Sequence, residues 1–128
     1  MRLSSLVGGH VETVDEKSNL RRAARLMSAR QVGSLLVTDD GGILGIITEH
    51  DITRAVAEEV DIDHTAIGEW MTDYPQVATG DWTVEQALDE MLEHGFRHMP
   101  VVDDDTVAGM VSIKDLVWAQ RGTSAGAR

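Results

Sequence analysis

The sequence predicts an α/β chain of the α+β type, built as two tandem β-α-β-β-α repeats related by a pseudo-twofold axis. Three observations predict it: a gap-free internal repeat, an apolar stripe of helical period early in each copy, and short β-rich runs joined by polar turns after each stripe.

The repeat comes first, because it decides the architecture. Laying the chain on itself in the register that sets Ala23 on Ala87 also places Met27 on Met91, Val37 on Val101, Asp39 on Asp103, Gly45 on Gly109, Asp51 on Asp115 and Ala55 on Ala119. Like-for-like pairs such as Ile47 with Val111 and Thr48 with Ser112 fill the spaces. The matched stretches run over about 3–57 and 67–121. The organisation expected from this is a first repeat over 1–60, a connector at 61–66, a second repeat over 67–121 and a flexible tail at 122–128.

Each repeat opens on a short strand, near Val11 to Val14 and, more weakly, Gln76 to Ala78. Leu20, Ala23, Ala24 and Met27 then fall at i, i+3, i+4 and i+7, the spacing that gathers apolar side chains on one helix face, and predict a helix over 19–30. Val84, Ala87, Leu88 and Met91 repeat that stripe, with Thr83 and Gln86 placed as a capping box. The runs Ser34–Thr38 and His98–Val102 follow, then the turns Asp39–Gly42 and Asp103–Thr106, then Ile43–Ile47 and Val107–Val111, which is the pattern of two hairpins. Glu49 to Ala57 and Ile113 to Ala119 read as closing helices. A unit of about 55 residues buries little core alone, so the two repeats are expected to pack together and to bring equivalent loops to one shared cleft.

Composition narrows the function. Eleven Lys and Arg against 22 Asp and Glu give a net charge of −11, which repels nucleic-acid phosphates and anionic lipid. No apolar run approaches the roughly 20 residues needed to span a bilayer. Met1 to Gly9 lacks the charged and apolar segments of a signal peptide, so a cytoplasmic location is expected. There is no cysteine, hence no disulfide, thiolate nucleophile or cysteine-based zinc site.

The chemistry concentrates in Gly45-Ile-Ile-Thr48-Glu-His-Asp51 and Gly109-Met-Val-Ser112-Ile-Lys-Asp115, each reading strand, hydroxyl, carboxylate, helix. A hydroxyl at a helix start with an acid three residues on is a capping arrangement. The same geometry suits a ligand: free backbone N–H groups and the helix dipole attract a phosphate oxygen, while a carboxylate accepts both hydrogen bonds of a ribose diol. Capping and binding are compatible.

With Val32-Gly-Ser-Leu-Leu-Val-Thr-Asp39 and Phe96-Arg-His-Met-Pro-Val-Val-Asp103 ahead of them, these paired motifs resemble the cystathionine-β-synthase (CBS) domain pair, or Bateman module, over residues 3–121. The resemblance implies a regulatory rather than catalytic protein, adenosine sites between the repeats, and a dimer. Carried over by position, it implies one site from Met110, Ser112, Asp115, Arg97 and His98 with Thr13, Val32, Gly33 and Ser34. It implies a second from Ile46, Thr48 and Asp51 with Val77, Phe96 and Arg97. The chain departs from the family in the second, where Val77 replaces a usual Thr and Gly33-Ser34 replaces a basic pair. The Asp115 site is therefore expected to take a phosphorylated adenosine, and the Asp51 site to be weaker or to suit an uncharged or cationic adenosyl group.

Other readings are blander. Arg97 and His98 also read as exposed side chains at a strand start. His94 and His98 have the i, i+4 spacing of a metal pair, but Gly95 breaks the helix between them, and no metal site is expected. Asp103 to Asp105 lack the alternating ligands of a calcium loop. Trp70, Trp82 and Trp118 read as covers for core edges or a dimer surface, and Met27 and Met91 as core filler. No nucleophile beside a base and no phosphate-binding P-loop is legible. The expected function is a non-enzymatic sensor of AMP, ADP, ATP or S-adenosylmethionine, with no required cofactor, that works as a homodimer on a regulated protein in trans without nucleic acid or membrane. The alternative is a constitutive dimerisation or scaffold protein whose two motifs serve only as caps.

Overall fold

The computed structural model describes residues 1–8, 11–40, 42–104 and 106–125. The strands and helices are β1 (Thr13–Asp15), α1 (Leu20–Arg30), β2 (Ser34–Asp39), β3 (Gly42–Thr48), α2 (Glu49–Ala57), β4 (Thr72–Asp73), β5 (Ala78–Thr79), α3 (Val84–His94), β6 (His98–Asp103), β7 (Thr106–Ser112) and α4 (Ile113–Ala125). Single 3₁₀ turns stand at Leu3–Ser5 and Ile67–Glu69. One sheet has the order β1-β2-β3-β4 and the other β5-β6-β7.

Local chemistry sets the helix ends. The Asn19 side chain accepts from Arg22 N at 2.9 Å to start α1. Thr83 and Gln86 form the expected capping box at α3, with bonds of 2.8 and 3.1 Å. Gly95 ends α3 at φ +75°, a conformation that costs a glycine little. In each unit a parallel pair, β1 with β2 or β5 with β6, precedes an antiparallel hairpin. Both hairpins shift register at the same repeat position, Val37/Thr38 and Val101/Val102. Of the two hairpin turns, Gly41 and Asp105 lie outside the described residues.

The chain forms two compact units, Glu12–Pro75 and Met1–Val11 with Gln76–Arg128, and these do not coincide with the sequence repeats. Each unit takes its leading segment from the other repeat. In the first, Ile67 is fully buried among Val14, Leu20, Ala23, Met27, Leu35, Val37, Ile47 and Ala55. In the second, Leu3, the counterpart of Ile67 in the other repeat, is fully buried among Ala78, Val84, Ala87, Met91, Met99 and Leu116. Burying a side chain of this size is worth about 1.5–3 kcal/mol, which fixes the short segments where they lie.

Backbone hydrogen bonds repeat the exchange. Ile67 N donates to Ser18 O at 2.8 Å, Gly68 N to Glu16 O at 2.8 Å and Leu20 N to Thr65 O at 3.0 Å. At the equivalent positions Leu3 N donates to Trp82 O, Ser4 N to Gly80 O and Val84 N to Met1 O, each at 2.9 Å. The connector at residues 61–66 is thus hydrogen-bonded to α1's entry, with Arg21 N also donating to Ile62 O at 3.1 Å. A Cβ on Gly45 would stand 2.5 Å from Thr72 O, and one on Gly109 2.6 Å from Val7 Cβ, so both strands need glycine where the exchanged segment crosses.

Two expectations are corrected. The closing helix runs to Ala125 rather than stopping at Ala119, so residues 122–125 are helical and only 126–128 of the expected flexible tail lie outside the described residues. The opening strands begin later than expected, at Thr13 and Ala78. No helix among the described residues is long and apolar enough to cross a membrane.

Candidate ligand-binding positions

In the unit Glu12–Pro75, the end of β3 delivers Ile46 and Thr48 to the start of α2. The hairpin register places Ser34 opposite Thr48 and Leu36 opposite Ile46, and Glu49 N donates to Gly33 O at 3.0 Å. Gly33, Ser34, Ile46, Thr48 and Asp51 therefore meet at one end of the sheet. Val32 precedes them on the surface, and Thr13 opens β1 opposite Leu36. Asp51 is only 7% exposed. Its Oδ2 accepts from Thr48 N at 2.9 Å and from Thr48 Oγ1 at 3.0 Å, while Asp51 N donates to Thr48 Oγ1 at 3.3 Å. Its Oδ1 stands 3.9 Å from Arg54 Nη2.

The other unit repeats the construction with a more open carboxylate. His98 pairs with Ser112, Pro100 with Met110, and Ile113 N donates to Arg97 O at 2.9 Å. Asp115 Oδ2 accepts from Ser112 N at 3.0 Å and Asp115 N donates to Ser112 Oγ at 3.1 Å. Asp115 is exposed, as is Arg97, and His98 and Met110 are half-buried. Phe96 packs on this unit's core, and Val77 immediately precedes β5. Within each unit, then, the hydroxyl, the acid and the start of the second strand converge. Both acids also cap their own helices, so each motif has the structural role its spacing suggests.

The remaining polar residues read more plainly. His94 Nδ1 pairs with Glu90 Oε2 at 3.3 Å inside α3, while His98 belongs to β6, so the two histidines are on different elements. Trp70 and Trp82 pack against the cores, and Trp118 is about half exposed. Arg54 lies over the Trp70 ring at 5.2 Å from its centroid. A groove of about 860 Å³ lies between α1 and residues 63–66, lined by Lys17, Arg22, Arg25, Leu26, Ala29 and Asp63. The motifs above single out none of these residues. The signal that could have found them is a run of arginines in an acidic chain. Across this groove Arg21 and Asp63 form a two-bonded ion pair, which raises the guanidinium pKa and lowers that of the carboxyl.

Known proteins place this geometry. The family pattern of the CBS domain matches twice, at residues 4–58 and 67–122. A CBS domain-containing protein of Arabidopsis thaliana, CBSCBSPB5, is 36% identical over 108 residues, 83% of this chain. The chain spans only 20% of that relative's length. The CBS domain pair of protein MJ0100, solved in complex with 5'-methylthioadenosine and S-adenosyl-L-methionine, superposes with a TM-score of 0.87 at 26% identity, covering 96% of this chain and 98% of that one. The CBS domain protein PAE2072 of Pyrobaculum aerophilum, complexed with AMP, superposes with a TM-score of 0.86 at 26% identity, covering 99% and 100%. The duplicated strand, hydroxyl, acid and helix arrangement and the doubled family match agree: this chain belongs to the CBS domain family and carries two copies of that domain.

Proposed function

We propose that the chain is a non-enzymatic regulatory module that senses an adenosine-type ligand, AMP, ADP, ATP or S-adenosylmethionine, and signals as a cytoplasmic homodimer to a protein in trans. The observation that carries this reading is the pair of helix starts Thr48–Asp51 and Ser112–Asp115, each at the end of a hairpin strand with a hydroxyl and a carboxylate in one cap. Such a cap offers N–H groups and dipole to a phosphate and acid oxygens to a sugar diol. The ligands of MJ0100 and PAE2072 are of this class.

The site expected to bind a phosphorylated adenosine combines Met110, Ser112, Asp115, Arg97 and His98 with Thr13, Val32, Gly33 and Ser34. The exposure of Asp115 supports this choice, because a carboxylate in solvent is available to a diol. The second site, from Ile46, Thr48 and Asp51 with Val77, Phe96 and Arg97, is the weaker: Asp51 is buried and already holds both Thr48 donors. A bound ligand shifts the module only by its difference in affinity between two states.

Titration calorimetry against AMP, ADP, ATP, S-adenosylmethionine and NAD tests the reading. It should give saturable heat for at least one adenosine compound, with stoichiometry reporting one or two sites. No heat and no thermal shift with any of the five sinks it. A second reading, a constitutive scaffold, is favoured by the fact that both acids already bond to their own cap N–H groups. A stable dimer without ligand response would decide for that one.

A further inference from the structure

Helices α1 and α3 occupy equivalent positions in the two repeats and carry opposite charge. α1 holds Arg21, Arg22, Arg25 and Arg30 with no acid, and α3 holds Glu85, Asp89, Glu90 and Glu93 with no Lys or Arg. The contrast extends to whole repeats: residues 3–57 have six Lys and Arg to seven Asp and Glu, and residues 67–121 have three to eleven. Arg25 stands where the second repeat has Asp89, and Ala29 where it has Glu93.

Each helix carries charges that work against it. Cations in a helix's first turn oppose its dipole, and Arg21 and Arg22 stand there in α1. Like charges three or four residues apart repel, as Arg22 with Arg25 and Asp89 with Glu93 do. Arg21 and Arg30 are offset by Asp63 and Glu12. Arg22 and Arg25 are exposed along the groove and make no ion pair among the described residues. Leu92, 65% exposed, adds an apolar side chain to α3 beside Asp89 and Glu93. Ser28 and Ala29 leave the equivalent stretch of α1 small and exposed.

We propose that the basic groove of α1 receives the acidic face of α3 from a second copy of this chain, so that self-association joins unlike repeats. This rests on the homodimer part of the functional reading and adds its pairing. Opposite charges relieve the repulsion within each helix, Leu92 gains a seat on the small residues of α1, and like-repeat pairing is disfavoured because it sets arginine on arginine or acid on acid.

The test is sedimentation of the full chain, its Arg22→Glu/Arg25→Glu variant, its Asp89→Arg/Glu93→Arg variant, and an equimolar mixture of the two variants. These positions are exposed and leave the Arg21–Asp63 and His94–Glu90 pairs in place; circular dichroism checks the fold. Each variant alone should self-associate at least about tenfold more weakly than the parent, the scale of setting like charges together in an interface. The mixture should recover association, and 0.5 M salt should weaken the parent, since added ions screen exposed charges. Association unaffected by either reversal, or variants that do not rescue each other, overturns the pairing. A monomeric parent overturns it too, and a monomer whose arginine resonances shift with inorganic phosphate assigns the groove to a small anion. Calorimetry with the adenosine panel on the same variants reports separately whether the nucleotide reading stands.

Discussion

Asp51 and Asp115 hold the same place in the two repeats, yet Asp51 is buried with its Oδ2 shared between Thr48 N and Thr48 Oγ1, whereas Asp115 is exposed and, among the described residues, accepts from Ser112 N alone. Removing each acid should therefore have different consequences for the fold. Asp51→Ala strands a part-buried N–H and breaks a capping box, and should lower unfolding stability by about 2–3 kcal/mol. Asp115→Ala loses a solvent-exposed cap and should cost about 0.5–1 kcal/mol. Urea denaturation of the two variants checks this, and equal losses would contradict the burial difference.

For ligand affinity the order should reverse. If Asp115 grips the sugar, Asp115→Ala weakens nucleotide binding by about 1–3 kcal/mol, the range of charge-assisted hydrogen bonds, with the fold kept. Asp51→Ala should weaken it less once its lower stability is allowed for by working well below the melting temperature. Calorimetry on both variants reads the difference, and an Asp115→Ala variant with parental affinity would move the sugar elsewhere.

The exchanged segments should matter as much as any core residue. Leu3→Ala and Ile67→Ala each empty a fully buried position and should each cost about 2–4 kcal/mol. Hydrogen exchange would locate the damage. Leu3→Ala should expose amides of β5–β7 although Leu3 is at the other end of the chain, and Ile67→Ala should expose amides of β1–β3. Loss confined to the residue's own sequence repeat would contradict the exchange.

Those segments also show where the sequence stopped being informative. The stripe Leu20, Ala23, Met27 and its partner Val84, Ala87, Met91 announced α1 and α3 because little besides a helix spaces apolar residues in that way, and all six side chains are buried. The caps Thr48–Asp51 and Ser112–Asp115 were legible for the same reason, as residue types at a fixed spacing. Leu3 and Ile67 belong to single turns too short for any period, so nothing in the chain said which core they fill. The closing helix was expected over Ile113 to Ala119, yet α4 continues to Ala125. Matched motifs also could not announce that Asp51 is buried and Asp115 exposed, because burial depends on the rest of the unit.

Glycine at the crossing points gives a sharper test of packing. In Gly45→Ala the new Cβ meets Thr72 O, a main-chain atom that no side-chain change can remove. In Gly109→Ala it meets Val7 Cβ and Cγ1. Each should lose about 1–3 kcal/mol from overpacking. Val7→Gly should restore part of the second loss, visible as a coupling in a double-mutant cycle. An additive cycle would mean that the Val7 segment does not lie on Gly109.

The chain's pH response should include His64. Its Nδ1 is 2.8 Å from Asp61 Oδ2, and that hydrogen bond, with the carboxylate's charge, raises the imidazole pKa above its ordinary 6.5. The same bond holds Asp61 below its ordinary 3.8. A histidine raised by folding contributes stability that is complete below its unfolded value and is lost as pH rises through the folded one. A carboxyl lowered by folding contributes above its unfolded value and loses that as pH falls through the folded one. The pair therefore steadies residues 61–64 from about pH 4 to somewhat above 6.5, and lets go on either side. Both groups are exposed, so the readout is local: an NMR titration should place the His64 midpoint above 6.5, and Asp61→Asn should return it toward that value. An unchanged midpoint in Asp61→Asn would show that another group governs His64.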